Sequence, residues 1–338
     1  MLQGAQTWVF SQKPTILSTG VVGGPFEKDC RLANDFDKFH DDLRMGKDSY
    51  EKAQNVLLED AVEIALRKKG LTEDGVQFFI SGDLINQITP TTFAARTNQI
   101  PYIGLFSACA LSTHGLALAS LIVNSGGATS ILTGTSSHNA SAEKQFRYPT
   151  EYGGQKPPTA QWTATASGIG LIGTDEKLEG PAPRITSATI GKVVDMGLSD
   201  PFNMGGAMAP AAVDTIQRHL FDLKRDPSYY DLIITGDLAE VGRNTALELF
   251  QQKGLPIGEN IFHDCGLLLY TDEQEVFAGA SGPGCSAAVM YGHLVNEMKK
   301  GRYKRILVVA TGALLSPLSV LQKETIPCIA HAVALEYE

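Results

Sequence analysis

Two stretches of the chain follow almost the same pattern of apolar and polar residues. Residues 78–84 (FFISGDL) and residues 232–238 (LIITGDL) each begin with an apolar run and end in a Ser/Thr-Gly-Asp turn. An uninterrupted apolar run that ends at a turn is typical of a strand buried on both faces of a sheet. The two stretches therefore predict equivalent buried strands, each followed by a tight turn.

Other segments recur in the same order around these strands. Residues 15–18 match 184–187, residues 59–66 match 211–216, and residues 130–134 match 308–312. Ordered self-similarity of this kind is the signature of an internal duplication. At 338 residues the chain is also longer than one domain usually is. We therefore expect two similar halves, residues 1–175 and residues 176–338.

Within each half, helical periodicity alternates with apolar strand-like runs. The first half predicts a helix at residues 50–69 that ends at Gly70, a strand at 76–80, a helix that begins near Cys109 and a strand at 129–132. The second half predicts helices at 209–223, 245–253 and 284–300, and strands at 232–234 and 305–309. Strands that alternate with helices indicate an α/β fold with a mainly parallel sheet covered on both faces.

A long polar and aromatic stretch interrupts this alternation. Residues 136–162 are rich in Ser, Asn, Gly and Pro, but they also contain Phe, Tyr and Trp. Loops of this length inside compact domains are often lids over a site, and the aromatic content favours a packed cover; an ordinary surface excursion is the alternative. We expect this cover loop to fold over a pocket. His138 or Asn139 would contribute to its wall, because both follow a predicted strand end, where ligands gather in this fold class.

The composition is that of a globular protein with a large core, since 43% of the residues are hydrophobic and 19% are charged. The formal net charge of −9 argues against binding to nucleic acid, which needs clustered Lys and Arg. The five cysteines form no CxxC pair and have no His at metal-ligand spacing, which predicts free thiols and no metal site. Residues 103–123 are uncharged but contain several polar side chains, so we expect a buried helix rather than a transmembrane one.

Cys109 is the first candidate for chemistry. It lies in a run of small residues, 107–110 (SACA), at the predicted start of a helix. The positive end of the helix dipole lowers the pKa of a thiol there and attracts anions. A free cysteine is, however, equally often a small buried apolar residue. His114 lies five residues further on, on another face of the helix, so we expect it to pack rather than to act as a base for Cys109.

Asp83 and Asp237 occupy the equivalent turns of the two halves. Each carboxylate could cap its own turn through hydrogen bonds to the backbone, or it could belong to a ligand site. In a duplicated fold, only one of two equivalent turns usually lies beside the site. We therefore expect the two aspartates to differ in their roles.

Four segments resemble motifs of the thiolase-like superfamily, which includes biosynthetic thiolases and ketoacyl-carrier-protein synthases. Residues 107–110 resemble its nucleophile segment, 165–170 (TASGIG) its glycine-rich strand start, 280–288 (ASGPGCSAA) the segment that carries His in thiolases and Asn in synthases, and 310–314 (ATGAL) its C-terminal glycine-rich loop. The resemblance covers the whole chain and implies two similar halves in a five-layered α-β-α-β-α arrangement. It also implies a homodimer, formed through the strand at 129–132, whose apolar edge would need cover.

Three places depart from the pattern of the catalytic family members. Residues 282–284 stand where the family has a His or Asn beside the cysteine, residues 236–237 where synthases have another His, and residues 310–311 where thiolases have a second cysteine. A thiol nucleophile needs a base or an oxyanion donor for Claisen chemistry. We therefore expect a binding protein that is not an enzyme. An active thiolase- or synthase-type condensing enzyme that uses Cys109 is the alternative, and a structural subunit with a vestigial pocket is a third possibility.

A closer resemblance narrows the ligand. Residues 7–10 (TWVF), 82–87 (GDLINQ) and 318–331 resemble a family of stage V sporulation proteins from endospore-forming bacteria. The resemblance implies binding of dipicolinate (pyridine-2,6-dicarboxylate), alone or as calcium dipicolinate, without a cofactor, for uptake into the developing spore. It also implies other stage V sporulation membrane proteins as partners and a location peripheral to the spore inner membrane. The candidate ligand-binding residues are Cys109, Asp83, His138, Asn139, Gly236, Asp237 and Gly282.

Overall fold

The computed structural model describes residues 1–146, 156–174, 180–255 and 257–338. The strands are β1 (Leu2–Gln3), β2 (Thr7–Val9), β3 (Thr15–Gly23), β4 (Lys38–Phe39), β5 (Phe78–Gly82), β6 (Tyr102–Gly104), β7 (Ser130–Ser137), β8 (Trp162–Thr163), β9 (Ala166–Gly173), β10 (Pro183–Ile190), β11 (Leu232–Thr235), β12 (Phe262–Asp264), β13 (Ala280–Ser281), β14 (Arg305–Ala313) and β15 (Cys328–Tyr337). The α-helices are α1 (Tyr50–Lys69), α2 (Thr89–Asn98), α3 (Leu111–Asn124), α4 (Asn139–Phe146), α5 (Met204–Leu223), α6 (Ala239–Gln252), α7 (Cys265–Leu268), α8 (Pro283–Ala288), α9 (Val295–Lys299) and α10 (Pro317–Leu321). A π-helical turn at Val289–Leu294 joins α8 to α9.

Both halves of the chain have the same strand order. It is β3-β9-β7-β5-β6 in the first sheet and β10-β15-β14-β11-β12 in the second, and a short pairing of β3 with β10 at Thr15 and Arg184 joins the two. In each sheet the last three strands are parallel, whereas the first three pair antiparallel with one another. The two similar stretches, FFISGDL and LIITGDL, form β5 and β11, which hold equivalent places. The repeated sequence therefore reflects a structural duplication. The expected boundary between residues 175 and 176 lies outside the described residues.

The helices form three layers around the two sheets. One buried cluster contains side chains of α1 and α2 with residues of the first sheet, and a second contains side chains of α5 and α6 with residues of the second sheet. The central cluster contains side chains of α3 and α8 with residues of both sheets. In β14, Ile306 and Val308 belong to the central cluster while Leu307 and Val309 face α5, as expected for a strand covered on both faces. The five-layered α-β-α-β-α arrangement is confirmed.

Most predicted elements exist, but their ends differ where apolar periodicity is a poor guide. The helix at 50–69 coincides with α1, and Gly70 ends it in the left-handed conformation. The strand predicted at 129–132 continues to Ser137, because residues 133–137 (TGTSS) are small and polar yet lie in the interior of the sheet. The helix predicted from residue 245 begins at Ala239.

The predicted dimer edge is wrong. The strand at 129–132 is part of β7, which pairs with β5 on one side and with β9 on the other. Within the described part of the chain, β7 therefore offers no unpaired edge to a second copy. The apolar residues within 129–132 reflect the central place of β7 in its sheet and not an exposed edge.

The cover loop contains regular structure and connects the two halves. Residues 136–137 complete β7, α4 follows, and β8 pairs in parallel with β13 of the second half. Residues 147–155 of the loop lie outside the described residues.

None of the helices in the described ranges is long and apolar enough to cross a membrane. Of the uncharged stretch 103–123, residues 111–123 form most of α3, whose apolar side chains lie between the two sheets.

Candidate functional site

Cys109 lies in a tight turn immediately before α3. The turn is a 3-10 helix at Ala108–Ala110, and Ala108 has a φ of 49°, in the left-handed region. This conformation costs a residue with a side chain about 1 kcal/mol or more, so the surrounding structure must hold it. Gly312 of β14 packs directly on the turn, since a Cβ at Gly312 would lie 2.3 Å from the Ser107 carbonyl oxygen. The thiol is consequently fixed, and Cys109 is only 8% exposed.

The Cys109 thiol lies beside the carboxylate of Asp237. Asp237 follows β11 and is fully buried. One of its carboxylate oxygens accepts from the Thr311 hydroxyl at 2.8 Å. The other accepts from the Ser281 hydroxyl at 3.2 Å and from the Gly282 N–H at 3.1 Å. Asp237 therefore joins four distant parts of the chain into one polar cluster inside the protein.

The electrostatics of this cluster disfavour a thiolate. Burial raises the pKa of the Cys109 thiol well above its usual value, and the neighbouring Asp237 carboxylate raises it further. Burial also raises the pKa of Asp237, although the hydrogen bonds that it accepts act in the opposite direction. The expectation that the start of α3 would lower the pKa of Cys109 is therefore wrong. Desolvation and an adjacent like charge outweigh the helix dipole.

Gly282 and Gly236 lie beside Asp237, and neither leaves room for a larger catalytic side chain. Gly282 has a φ of 93°, and a Cβ there would lie 2.8 Å from the Ser137 hydroxyl oxygen. A Cβ at Gly236 would lie 3.0 Å from the Cα of Ala310. A Cβ at either glycine would crowd these neighbouring atoms, so neither position accepts a larger side chain without a shift of its surroundings.

Asp83, the counterpart of Asp237, makes its hydrogen bonds locally. Its carboxylate accepts from the Ile85 N–H at 2.7 Å and from both the N–H, at 2.8 Å, and the hydroxyl, at 2.5 Å, of Thr91. Burial raises its pKa to about 6. These bonds hold its own turn against the first turn of α2, and none of them connects Asp83 to Cys109.

His138 and Asn139 face different parts of the protein. His138 is fully buried, and its Nε2 lies 2.8 Å from the Leu43 carbonyl oxygen, while its ring lies 5.5 Å from that of Tyr50. The Asn139 side chain donates to the Thr163 carbonyl oxygen at 3.1 Å. Asn139 thereby anchors β8, which pairs with the strand that carries Ser281. Of the two, only Asn139 connects to the elements around Asp237.

Two histidines lie on the other side of the cysteine turn. Nδ1 of His114 is 3.1 Å from the Ser107 hydroxyl, and the His114 and His331 rings are 4.7 Å apart. His331 is buried, and this burial lowers its pKa to about 3. His114 packs, as expected. Neither the apolar pattern nor the thiolase-like motifs indicate that His331 joins it, because the two are brought together only by the sheet.

The polar cluster also contains two hydroxyls that sequence reasoning did not select as site residues, those of Ser281 and Thr311. Ser281 directly precedes Gly282, and Thr311 lies near the end of β14. Both are in segments that resemble the superfamily, but a hydroxyl at either place carries no catalytic signal of its own. Their role follows only from the position of the Asp237 carboxylate.

No group of three or more His, Cys, Asp or Glu side chains within the described ranges is arranged to hold a metal ion. A separate cleft of about 260 Å³ lies between α4 and α10. Apolar residues such as Phe146, Leu315 and Leu321 dominate its lining, and it includes no residue of the Asp237 cluster.

Comparisons with known proteins agree with this fold and place the chain in a family. Human mitochondrial 3-ketoacyl-CoA thiolase covers 96% of this chain and 98% of its own length, with a TM-score of 0.60 and 12% identity. 3-Oxoacyl-(acyl-carrier-protein) synthase III from Aquifex aeolicus VF5 covers 96% of this chain and 100% of its own, with a TM-score of 0.58 and 13% identity. At such low identities these likenesses show the fold alone, which is thiolase-like.

Sequence similarity is more specific. The stage V sporulation protein AD of Bacillus subtilis (strain 168) is 50% identical over 335 residues, which cover 99% of this chain and 98% of that protein. The family model described as Stage V sporulation protein AD matches residues 4–336. The chain therefore belongs to the stage V sporulation protein AD family.

Proposed function

We propose that this protein binds dipicolinate, alone or as its calcium chelate, in a pocket beside Cys109, and that it does not catalyse acyl transfer. One observation carries the proposal: the Cys109 thiol lies against the buried carboxylate of Asp237, where a condensing enzyme needs a base or an oxyanion donor. The family membership of the chain supports a role in sporulation.

The thiol is a poor nucleophile in these surroundings. Only the thiolate attacks an acyl group, and both burial and the Asp237 charge keep Cys109 protonated. The half-buried His114 and the buried His331 are no substitute for a catalytic base, because their described hydrogen bonds are with the Ser107 hydroxyl and the Gly191 N–H. The fold of a condensing enzyme is thus retained around a cysteine that is not activated.

The same surroundings offer donors to a carboxylate ligand. The Ser281 hydroxyl and the Cys109 thiol both lie against Asp237, and α3 begins at Leu111, two residues after Cys109. A helix start and convergent donors are the usual means by which a protein binds an anion without a metal. Donors that converge beside the turn at Ala108–Ala110 suit the carboxylates of a small planar dicarboxylate.

A role in transport into the spore would require contact with membrane partners. We propose that the protein is peripheral to the spore inner membrane and is held there by other stage V sporulation membrane proteins. Recovery of the protein in the membrane fraction of sporulating cells, and its loss from that fraction when the other stage V proteins are deleted, is the expected result. Membrane association of the purified protein alone would contradict this arrangement.

Titration calorimetry of the purified chain tests the binding proposal. Dipicolinate and calcium dipicolinate should each be examined, with isophthalate as a matched control that lacks the ring nitrogen. Saturable binding of dipicolinate without turnover of acyl-CoA is the expected result. Acyl-CoA turnover that disappears in Cys109→Ser would instead support the condensing-enzyme alternative, and failure to bind either form of dipicolinate would favour a structural subunit.

A further inference from the structure

We infer that Asp237 takes up one proton when a dicarboxylate binds beside Cys109, and that this proton releases the Ser281 hydroxyl and the Cys109 thiol to donate to the ligand. The inference rests on the proposed binding of dipicolinate and concerns how the same site accepts a second negative charge. The proton comes from solvent and is bound by a carboxylate oxygen of Asp237; no other bond is made or broken.

The Asp237 carboxylate and a bound ligand carboxylate would compete for the same hydrogen-bond donors. In the structure, the Ser281 hydroxyl donates to the Asp237 carboxylate at 3.2 Å, and the Cys109 thiol lies beside the same carboxylate. A carboxylate ligand beside Cys109 needs the same two hydrogens, because each group has only one to give. An ionised Asp237 would keep them. A protonated Asp237 accepts fewer hydrogen bonds, so both donors can rotate towards the ligand.

The negative charges around Asp237 also favour its protonation when a dicarboxylate binds. Asp237 is fully buried, and the charged side chain that faces it from a neighbouring element is Asp264, at the end of β12, which has the same sign. Burial is the main cause that raises the pKa of Asp264 to about 6, and the Asp237 carboxylate raises it further. A ligand carboxylate would add another negative charge to this enclosed space. Uptake of a proton removes one of those charges.

The remaining groups packed against Asp237 do not neutralise it. Thr311 and Gly282 are neutral donors, Gln161 donates to its backbone carbonyl at 2.7 Å, and Cys265 and Cys285 are thiols whose pKa values burial raises well above the ordinary range. None of the described hydrogen bonds or ion pairs at Asp237 involves a Lys or Arg. In the described structure, protonation is therefore the available means of offsetting the ligand charge.

Titration calorimetry of the unaltered full chain with dipicolinate measures this proton directly. Binding heats are compared in two buffers of different ionisation enthalpy, such as phosphate and Tris, between about pH 6 and about pH 8, where the ligand carboxyls are already ionised. The expected result is uptake of about one proton per ligand at the upper end of this range, with affinity falling about tenfold per pH unit there.

Asp237→Asn places a neutral isostere at this position and should still bind, with no proton uptake and with an affinity that does not vary with pH. Glu27→Gln is the matched control, because Glu27 is also a fully buried carboxyl, with a pKa raised to about 7 chiefly by burial, but it bonds to Tyr270 and Thr165 away from this cluster. This control should keep the proton uptake of the parent.

The outcomes separate the inference from the proposed function. Binding of dipicolinate by the unaltered protein without proton uptake would overturn the inference and leave the binding function intact. Uptake that persists in Asp237→Asn, or disappears in Glu27→Gln, would assign the proton to another group. No binding by the unaltered protein at any pH would overturn the proposed function itself. Because the proton count is measured on the unaltered chain, a failure of Asp237→Asn to fold does not remove the test.

Discussion

The turns after β5 and β11 have nearly the same sequence but use their aspartates differently. Asp83 accepts hydrogen bonds from residues 85 and 91, which belong to its own turn and to the helix that follows. Asp237 accepts them from residues 281, 282 and 311 and lies beside Cys109, so it connects three other segments of the chain. The first aspartate stabilises a local connection, whereas the second holds the centre of the candidate site.

In the second half, Asp264 instead of Asp237 accepts the hydrogen bonds that cap the turn. Asp264 accepts hydrogen bonds from the Leu238 N–H at 2.8 Å, the Ala239 N–H at 2.9 Å and the Thr235 hydroxyl at 2.7 Å, so it caps the turn that contains Asp237. Asp237 is thereby free to point into the interior. After a duplication, one copy of a turn can thus acquire a new role once a neighbouring strand supplies the cap.

The glycines of the two turns provide the largest expected difference. A Cβ at Gly82 would lie 2.0 Å from the Leu105 carbonyl oxygen, whereas one at Gly236 would lie 3.0 Å from the Cα of Ala310. Gly82→Ala should therefore lower the free energy of unfolding by more than about 3 kcal/mol, and Gly236→Ala by about 1–2 kcal/mol. Chemical denaturation of both variants measures the difference. Equal losses would contradict the structural distinction between the turns.

The pH dependence of stability should report the buried Asp83. Its pKa is about 6 in the folded protein and 3.8 in the reference state, so between these values the folded state binds more protons than the unfolded state. Its contribution to stability is present at low pH and is lost as the pH rises through this window, by at most about 3 kcal/mol. Asp83→Asn should remove that part of the slope in denaturation curves measured from about pH 4 to about pH 6.5. An unchanged slope would show that Asp83 does not titrate there.

Removal of the local cap should cost stability in proportion to the donors left unpaired. Asp83→Ala leaves the buried N–H groups of Ile85 and Thr91 without partners and should lower the free energy of unfolding by about 2 kcal/mol. Thr91→Val, the control, removes only the hydroxyl bond and should cost about 1 kcal/mol. If Asp83→Ala proved no more costly than Thr91→Val, the backbone bonds of Asp83 would not be significant.

The smallest expected effect concerns the connection between the cover loop and the Asp237 cluster. Asn139→Ala removes the bond to Thr163 and loosens β8, so dipicolinate affinity should fall by about threefold, roughly 0.6 kcal/mol. His138→Ala should leave that affinity within error, because His138 contacts Leu43 and Tyr50 instead. A larger loss for His138→Ala than for Asn139→Ala would contradict this arrangement.

Much of the fold could be predicted from the sequence because it depends on apolar periodicity and on repetition. The repeat indicated two halves, and α1 was recognisable along its whole length. The end of β7 and the start of α6 could not be predicted in this way. The small polar residues that end β7 and the turn before α6 show no apolar periodicity. At the site, Cys109, Gly236, Asp237 and Gly282 were indicated by resemblance and position. Their neighbours in the cluster come from segments that are far apart in the chain. The raised pKa of Cys109 depends on burial, which a single sequence does not encode locally.

The most direct test of the account compares dipicolinate binding by Cys109→Ser and Cys109→Phe in titration calorimetry. Serine keeps a small neutral donor beside Asp237 and should bind within about threefold of the parent. Phenylalanine would fill the space in front of the turn and should weaken binding by more than about 100-fold. Both variants should give the same circular dichroism spectrum as the parent. Loss of binding in Cys109→Ser together with retained binding in Cys109→Phe would contradict the claim that Cys109 lines the ligand pocket as an unreactive thiol.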